Sequence, residues 1–265
     1  MRIAKFIDQD GNIHYGTDIN EGLATCLKGD ILYKLERTED KAEIYGFLSP
    51  IEPAAILCIG LNYRAHASEA GMKTPEYPVV FMKNPASVIG HKKHIILPAS
   101  CRNPLQVDFE VELAVVIGKK AKNVKASNAL DYVFGYTIAN DVSARVWQLQ
   151  AGGNQWVRGK SFDTFCQLGP EIVTSDEIAN PDNLDIKCVL NGEVMQQGNT
   201  SDMIFSVSKL IEFLSEDTTL LPGTVILTGT PSGVGFTRNP PVFLKPGDHL
   251  ELTIEKLGTL ENTAL

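Results

Sequence analysis

Residues 107–118 read Val107-Asp108-Phe109-Glu110-Val111-Glu112-Leu113-Ala114-Val115-Val116-Ile117-Gly118. A run this rich in valine and isoleucine fits a strand, where residues two apart share a face. Glu110, Glu112, Ala114 and Val116 then point one way. That face begins with two carboxylates and ends apolar, so the strand runs from an open site into a core. Two glutamates side by side repel each other unless a cation sits between them. The plain alternative is a solvated strand end beside lysines.

Outward from this strand the pattern stays mostly β. Ala54–Leu61 is a continuous apolar run, too short for a comfortable helix and long enough for a buried strand. Val79–Met82, Ile95–Leu97, Val133–Ala139, Asp185–Leu190, Val225–Leu227 and His249–Ile254 read as further strands. Helices are fewer, with Tyr63–Ala70, Ser143–Gln150 and Val207–Leu214 the best. Strands at irregular intervals, without steady alternation with helices, argue against a doubly wound sheet. The fold class expected is α+β, mostly β, a rolled or barrel-like domain with a few covering helices. Arg2–Ile7 and Ile13–Thr17 flank an Asp10-Gly11 turn and predict a hairpin. Ser49-Pro50-Ile51-Glu52-Pro53 then punctuates the chain. A small β-rich N-terminal domain over 1–50 and a catalytic domain over 51–265 are the expected division.

Composition narrows the function. The chain has 265 residues, 24 Lys+Arg against 32 Asp+Glu and a net charge of −8, with no basic stripe, which disfavours nucleic acid and anionic membranes. Small molecules or copies of the same chain are the expected partners. The start, MRIAKFIDQDGN, has neither the apolar core nor the cleavage site of a signal peptide. Five scattered cysteines without a CxxC pair suggest reduced thiols, so the cytoplasm is the expected compartment. Gly159-Lys160-Ser161 mimics the end of a phosphate loop, but Asn154 stands where the first glycine belongs. Ser232 lacks the flanking glycines of a nucleophile elbow. His91-Lys92-Lys93-His94 reads as surface charge rather than a metal site.

A third acid joins the two glutamates. Asp141 follows the run Val133–Ala139 and precedes a helical stretch that it would cap in the simplest case. Three acids at strand and loop ends also offer hard oxygen ligands for Mg²⁺, Mn²⁺ or Ca²⁺. Arg145 and Gln148, three apart on a helix, would share one side of it, and Lys160 adds a point cation. Individually these are ordinary surface groups; beside a metal they would hold an anionic, oxygen-rich substrate. His66 and Glu69, also three apart, either form a helix-surface pair or a carboxylate-oriented general base.

The segments GLNYRAHASEAG (60–71), VDFEVELAVVIGKK (107–120), GYTIANDVSARVWQ (135–148), GKSFDTFCQLGP (159–170) and VILTGTPSGVG (225–235), in this order, resemble the fumarylacetoacetate hydrolase (FAH) family. NGEVMQ (191–196) and PPVFLKPGD (240–248) resemble the branch of its domain-containing protein 2, which sits among bacterial dioate isomerases and decarboxylases. The resemblance implies a mixed β-roll, a homodimer and one divalent cation, usually Mg²⁺ or Mn²⁺, on Glu110, Glu112 and Asp141. It further implies that Arg145, Gln148, Lys160 and Thr230 contact substrate, and that His66 and Glu69 activate water from a lid. Relatives commonly carry Asp after the arginine where this chain has Val146, which puts substrate identity in question. The expected reaction is C–C bond hydrolysis of an acylpyruvate-type 2-oxo acid, with Lys160 supporting charge on the keto oxygen. Oxaloacetate decarboxylation and keto–enol tautomerisation or dioate isomerisation are the alternatives, and a non-catalytic metabolite-binding protein is a remote one.

Overall fold

The computed structural model describes all 265 residues. Its strands in chain order begin with β1 (Arg2–Ile7), β2 (Ile13–Asn20), β3 (Leu23–Asp30), β4 (Lys34–Glu43), β5 (Gly46–Leu48) and β6 (Ala55–Gly60). Helix α1 (Arg64–Glu69) precedes β7 (Val79–Lys83), β8 (Val88–Ile89), β9 (His94–Ile95), β10 (Val107–Asp108), β11 (Val111–Ile117), β12 (Val133–Asp141) and β13 (Ser143–Ala144). Then come α2 (Val157–Lys160), β14 (Cys166–Thr174), β15 (Asp185–Leu190), β16 (Glu193–Asn199), α3 (Val207–Ser215), β17 (Thr224–Leu227), β18 (His249–Ile254) and β19 (Gly258–Ala264).

The main sheet runs β4-β3-β2-β1-β14-β12-β11-β17-β6-β7. It is mixed, since β17 and β6 pair in parallel while β11 pairs antiparallel with both β12 and β17. A second sheet, β16-β15-β18-β19-β9, packs against it. The mostly-β α+β expectation holds. The N-terminal strands are hairpin-linked as predicted, and β1 carries them onto the main sheet by pairing Arg2 and Ile3 with Val173 and Ile172 of β14.

β11 lies inside the molecule with apolar material on both faces. Val111, Leu113, Val115 and Ile117 enter the larger core with β15 and β18, while Ala114 and Val116 enter a smaller core with Ile56, Cys58 and Leu168. Each fully buried valine or leucine of this kind stabilises the fold by about 1.5–3 kcal/mol. α3 covers the large core with Val207, Leu210, Ile211 and Leu214, the helical one-face spacing, and Ser206 caps its first turn.

The structure corrects three local expectations. Val107–Ile117 is not one strand, because Phe109 and Glu110 interrupt it between β10 and β11. Ser143–Gln150 is not a simple helix; Ser143 and Ala144 pair with Asp108 and Val107, and the helical part follows as a π-helix over Trp147–Ala151. His91 is not surface charge. Its ring is buried edge-on to Phe47 and its Nδ1 accepts from the Glu261 N–H at 3.0 Å.

Candidate active site

The interruption at Phe109-Glu110 makes the site. β12 ends at Asp141 beside the start of β11, and the Asp141 N–H donates to the Glu110 carbonyl at 2.9 Å. The Glu110 N–H donates to Asn140 Oδ1 at 3.0 Å, so Glu110 is held at its backbone. Glu112, two residues on, pairs with Ala139 across the ladder. Carboxylate oxygens of Glu110, Glu112 and Asp141 all lie within 4.8 Å of one another, and all three residues are buried. Asp141 does not cap a helix; both of its oxygens meet lysines instead.

Buried cations answer these acids. Lys160 Nζ donates to Glu110 Oε2 at 2.6 Å and to Asp141 Oδ2 at 2.8 Å. Lys83 Nζ donates to Asp141 Oδ1 and to the Val142 carbonyl. Arg145 Nη1 sits 2.7 Å from Glu110 Oε1 and donates to Gln148 Oε1 at 2.9 Å. Burial alone would raise the Glu110 carboxyl, but Lys160 and Arg145 bring it down to about 2. Glu112 has no such partner: its recorded donor is the Gly229 N–H at 2.7 Å. Burial, with the charges of Asp141 and Glu110, pushes its carboxyl well above the usual range. Lys160 moves upward, because the same acids outweigh the burial that would lower it. With Asp108 included, four buried carboxyl groups face three buried cations, and Glu112 is the one that no cation pairs. An oxygen-only, under-compensated donor set fits a hard divalent cation.

Local packing explains why these cations reach the acids. A Cβ on Gly159 would stand 2.6 Å from the Gln148 backbone nitrogen, so only glycine lets α2 approach the π-helix and bring Lys160 beside Gln148. Thr230, just beyond β17, donates its hydroxyl to the Val111 carbonyl at 2.8 Å and accepts from Gln196 Nε2 at 2.7 Å. α1 forms the roof. His66 Nδ1 lies 3.3 Å from Glu69 Oε2, and both Glu69 oxygens lie 3.1 Å from the Gly233 nitrogen.

His66, Glu110, Glu112, Arg145, Gln148, Lys160 and Thr230 line one cavity of about 80 Å³, closed by Ile59, Leu61, Phe81, Trp156 and Phe236. Glu69 stands behind His66, and Asp141 behind the two glutamates. A wider cleft of about 490 Å³ between Tyr77 and α3 carries none of these residues. The change at Val146 does not release Arg145: the guanidinium is held by Asp108, and Val146 contributes its backbone N–H to Gln106 Oε1. Sequence reasoning missed Lys83, Asp108, Gln196 and Phe236. Lys83 left a trace, since strand alternation puts it on the face of inward-pointing Phe81.

The family model for the fumarylacetoacetate (FAA) hydrolase C-terminal region matches residues 55–264. The chain belongs to that family. A human relative named "Oxaloacetate tautomerase FAHD2A, mitochondrial" is 50% identical over 217 residues, covering 82% of this chain and 68% of the relative. A fumarylacetoacetate hydrolase domain-containing protein 2 homolog of Dictyostelium discoideum is 52% identical over 223 residues, 81% of this chain and 72% of its own. Among solved structures, a 2-hydroxyhepta-2,4-diene-1,7-dioate isomerase from Mycobacterium marinum superposes with TM-score 0.85 at 37% identity, covering 100% of this chain and 98% of that one. A fumarylacetoacetate hydrolase from Exiguobacterium antarcticum does so with TM-score 0.86 at 34% identity, covering 100% and 99%. These likenesses favour the isomerase and tautomerase side of the family over the acylpyruvate hydrolysis expected first. No helix of this FAH-family enzyme is long and apolar enough to cross a membrane.

Proposed function

We propose that this FAH-family enzyme catalyses keto–enol tautomerisation of a small 2-oxo dicarboxylic acid of the oxaloacetate class. The observation that carries this is the cavity itself. About 80 Å³, lined by Glu110, Glu112, Arg145, Lys160 and His66, suits a four- or five-carbon acid better than a long dienoate. The name of the human relative at 50% identity supports the same choice. Glu110, Glu112 and Asp141 would hold the divalent ion, Mg²⁺ or Mn²⁺ with Ca²⁺ also matching the donors. When bound, the ion supplies Lewis-acid stabilisation of negative charge on the keto oxygen.

The chain's own residues do the rest. Arg145 and Gln148 bind and orient the carboxylates, Thr230 joins them by turning its hydroxyl from the Val111 carbonyl, and the Lys160 ammonium lies where charge builds on the keto oxygen. His66, oriented by Glu69 through Nδ1, removes the proton from the carbon beside the keto group, and that proton returns at the oxygen. The apolar ring of Ile59, Leu61, Phe81 and Trp156 restricts water around the charged groups.

C–C bond hydrolysis of an acylpyruvate is the second candidate, favoured by the His66–Glu69 contact of 3.3 Å, an arrangement suited to activating water. Decarboxylation of oxaloacetate would use the same charge stabilisation without a water nucleophile. The test follows enol oxaloacetate by its ultraviolet absorbance, and pyruvate release from oxaloacetate and acetylpyruvate, each with Mg²⁺ and with chelator. Chelator-sensitive loss of the enol without pyruvate is the expected result. Pyruvate from acetylpyruvate would establish the hydrolase, and pyruvate from oxaloacetate alone the decarboxylase. Ligand-induced stabilisation with no turnover would leave a binding protein.

A homodimer is part of the proposal: β7 ends the main sheet and exposes Val80 and Met82, a short apolar edge suited to a second copy. Sedimentation at twice the 29.0 kDa chain mass is expected. The free cysteines support the cytoplasm; the human relative's name contains "mitochondrial", and cell fractionation decides between the two.

A further inference from the structure

We propose that Asp108 is a positioning residue that sets the Arg145 guanidinium in the pocket and ties it to the turn that also holds the roof. Asp108 is fully buried and takes no place in the acid triad. Its Oδ2 accepts from Arg145 Nε at 2.8 Å and lies 2.8 Å from Nη2. The same carboxylate accepts the Gly235 N–H at 2.8 Å and the Phe236 N–H at 3.0 Å, and its Oδ1 also takes the Phe109 N–H at 2.8 Å. Phe236, fixed by this contact, lays its ring over the guanidinium with 4.3 Å from Cζ to the ring centre. A Cβ at Gly235 would stand 1.8 Å from the Val242 carbonyl and 2.6 Å from Asp108 Oδ1, so the turn can approach this closely only with glycine there.

One carboxylate therefore grips the inner edge of the guanidinium and the backbone of the Gly235–Phe236 turn together. The grip leaves the Nη1 edge toward Gln148 and Glu110, and it leaves Nη2 buried with a donor unsatisfied. Two residues earlier the same turn gives its Gly233 N–H to Glu69 of the roof. Seating of Arg145 and placement of α1 thus share one short segment, held on one side by Asp108 and on the other by Glu69. Asp108 touches no reacting atom. Its effect belongs to substrate affinity, whereas that of His66 belongs to turnover.

The kinetic arm of the test rests on the oxaloacetate proposal; a spectroscopic arm does not. In D108N, KM for oxaloacetate should rise at least tenfold while kcat changes less than threefold. F236L, at a half-buried ring, should raise KM about threefold with kcat unchanged, and it serves if D108N folds poorly. Lower kcat at unchanged KM in both variants is the mark of a merely structural role and overturns the inference. The second arm is the arginine Nε–H NMR signal assigned by its absence in R145K. It should exchange slowly in the wild type and rapidly in D108N, whatever reaction is catalysed. A signal still protected in D108N overturns the clamp. No turnover of oxaloacetate with the clamp signal behaving as expected overturns only the substrate.

Discussion

Glu112 and Asp141 on strands paired on both sides, with Glu110 in the break just before β11, form a floor, while His66 and Glu69 form a roof on a helix of six residues. The floor is held by buried ion pairs reaching from Lys83, Arg145 and Lys160. The roof is held by Glu69 on the Gly233 N–H and by Asp202, which accepts the Ala65 N–H at 2.9 Å. The floor's charges are part of the folding problem, since an unpaired buried ion is costly. The roof carries one ion-pair contact, His66 to Glu69, with the Glu69 side chain partly exposed, so its residues can be changed at lower cost to the fold.

Lys160 should show the largest effect. K160M leaves Glu110 and Asp141 without their shared cation, which costs about 3–5 kcal/mol of stability as a broken buried pair, and the reaction should slow by about 10²–10³-fold. Thermal unfolding and kcat measure the two. A variant with unchanged Tm would show that the floor is not an electrostatic unit. H66A is the counterpart in the roof. Turnover should fall by about 10²–10⁴-fold, the usual range for a general base, while stability moves by less than about 1 kcal/mol. If H66A destabilises the fold as much as K160M does, the contrast between the two halves fails.

Metal binding sharpens the floor further. Burial and the neighbouring acids raise Glu112 well above the usual carboxylate range, so the metal-free protein keeps its proton there to higher pH than an ordinary carboxylate does. A raised carboxyl binds its proton more tightly in the folded than in the unfolded state, so the metal-free fold loses stability as pH rises through that window. Mg²⁺ should therefore release protons on binding, more at lower pH. Calorimetry in two buffers of different ionisation enthalpy detects the release, and E112Q should abolish it. At a hundredfold excess over Kd the ion should add about 2.7 kcal/mol of stability, and chelator should remove it.

The two halves also differ in how openly the sequence displays them. The roof is local: His66 and Glu69 lie three residues apart, and their contact follows from helical spacing alone. The paired glutamates of the floor were legible from strand alternation, even though Phe109 and Glu110 break the strand. Their partners were not. Asp108 meets Gly235 across 127 residues and Lys83 meets Asp141 across 58, and no local pattern encodes such separations. β14 went unread because Gly169-Pro170 interrupts it, as a turn would. β4 did so because KLERTEDKAE faces solvent almost throughout and shows no apolar alternation.

A last, smaller effect separates loss of the fold from loss of the site as pH falls. His91 lies outside the pocket, with Phe47 against its ring, the Glu261 backbone on Nδ1, and the Glu261 and Lys92 charges nearby. Burial is the main influence and brings its pKa from 6.5 down to about 4. Between those values the unfolded chain binds a proton that the folded chain refuses, so stability falls as pH drops from 6.5 toward 4 and stops changing on this account below that. With partial solvent screening the loss is about 1–2 kcal/mol. H91Q keeps an acceptor near the Glu261 N–H but cannot be protonated in this range, so its stability should be flatter between pH 6.5 and 4. Its pH dependence of kcat should follow the wild type, because His66 is unchanged. A kcat profile that moved with H91Q would mean that acid acts on the reaction through the fold rather than through the roof.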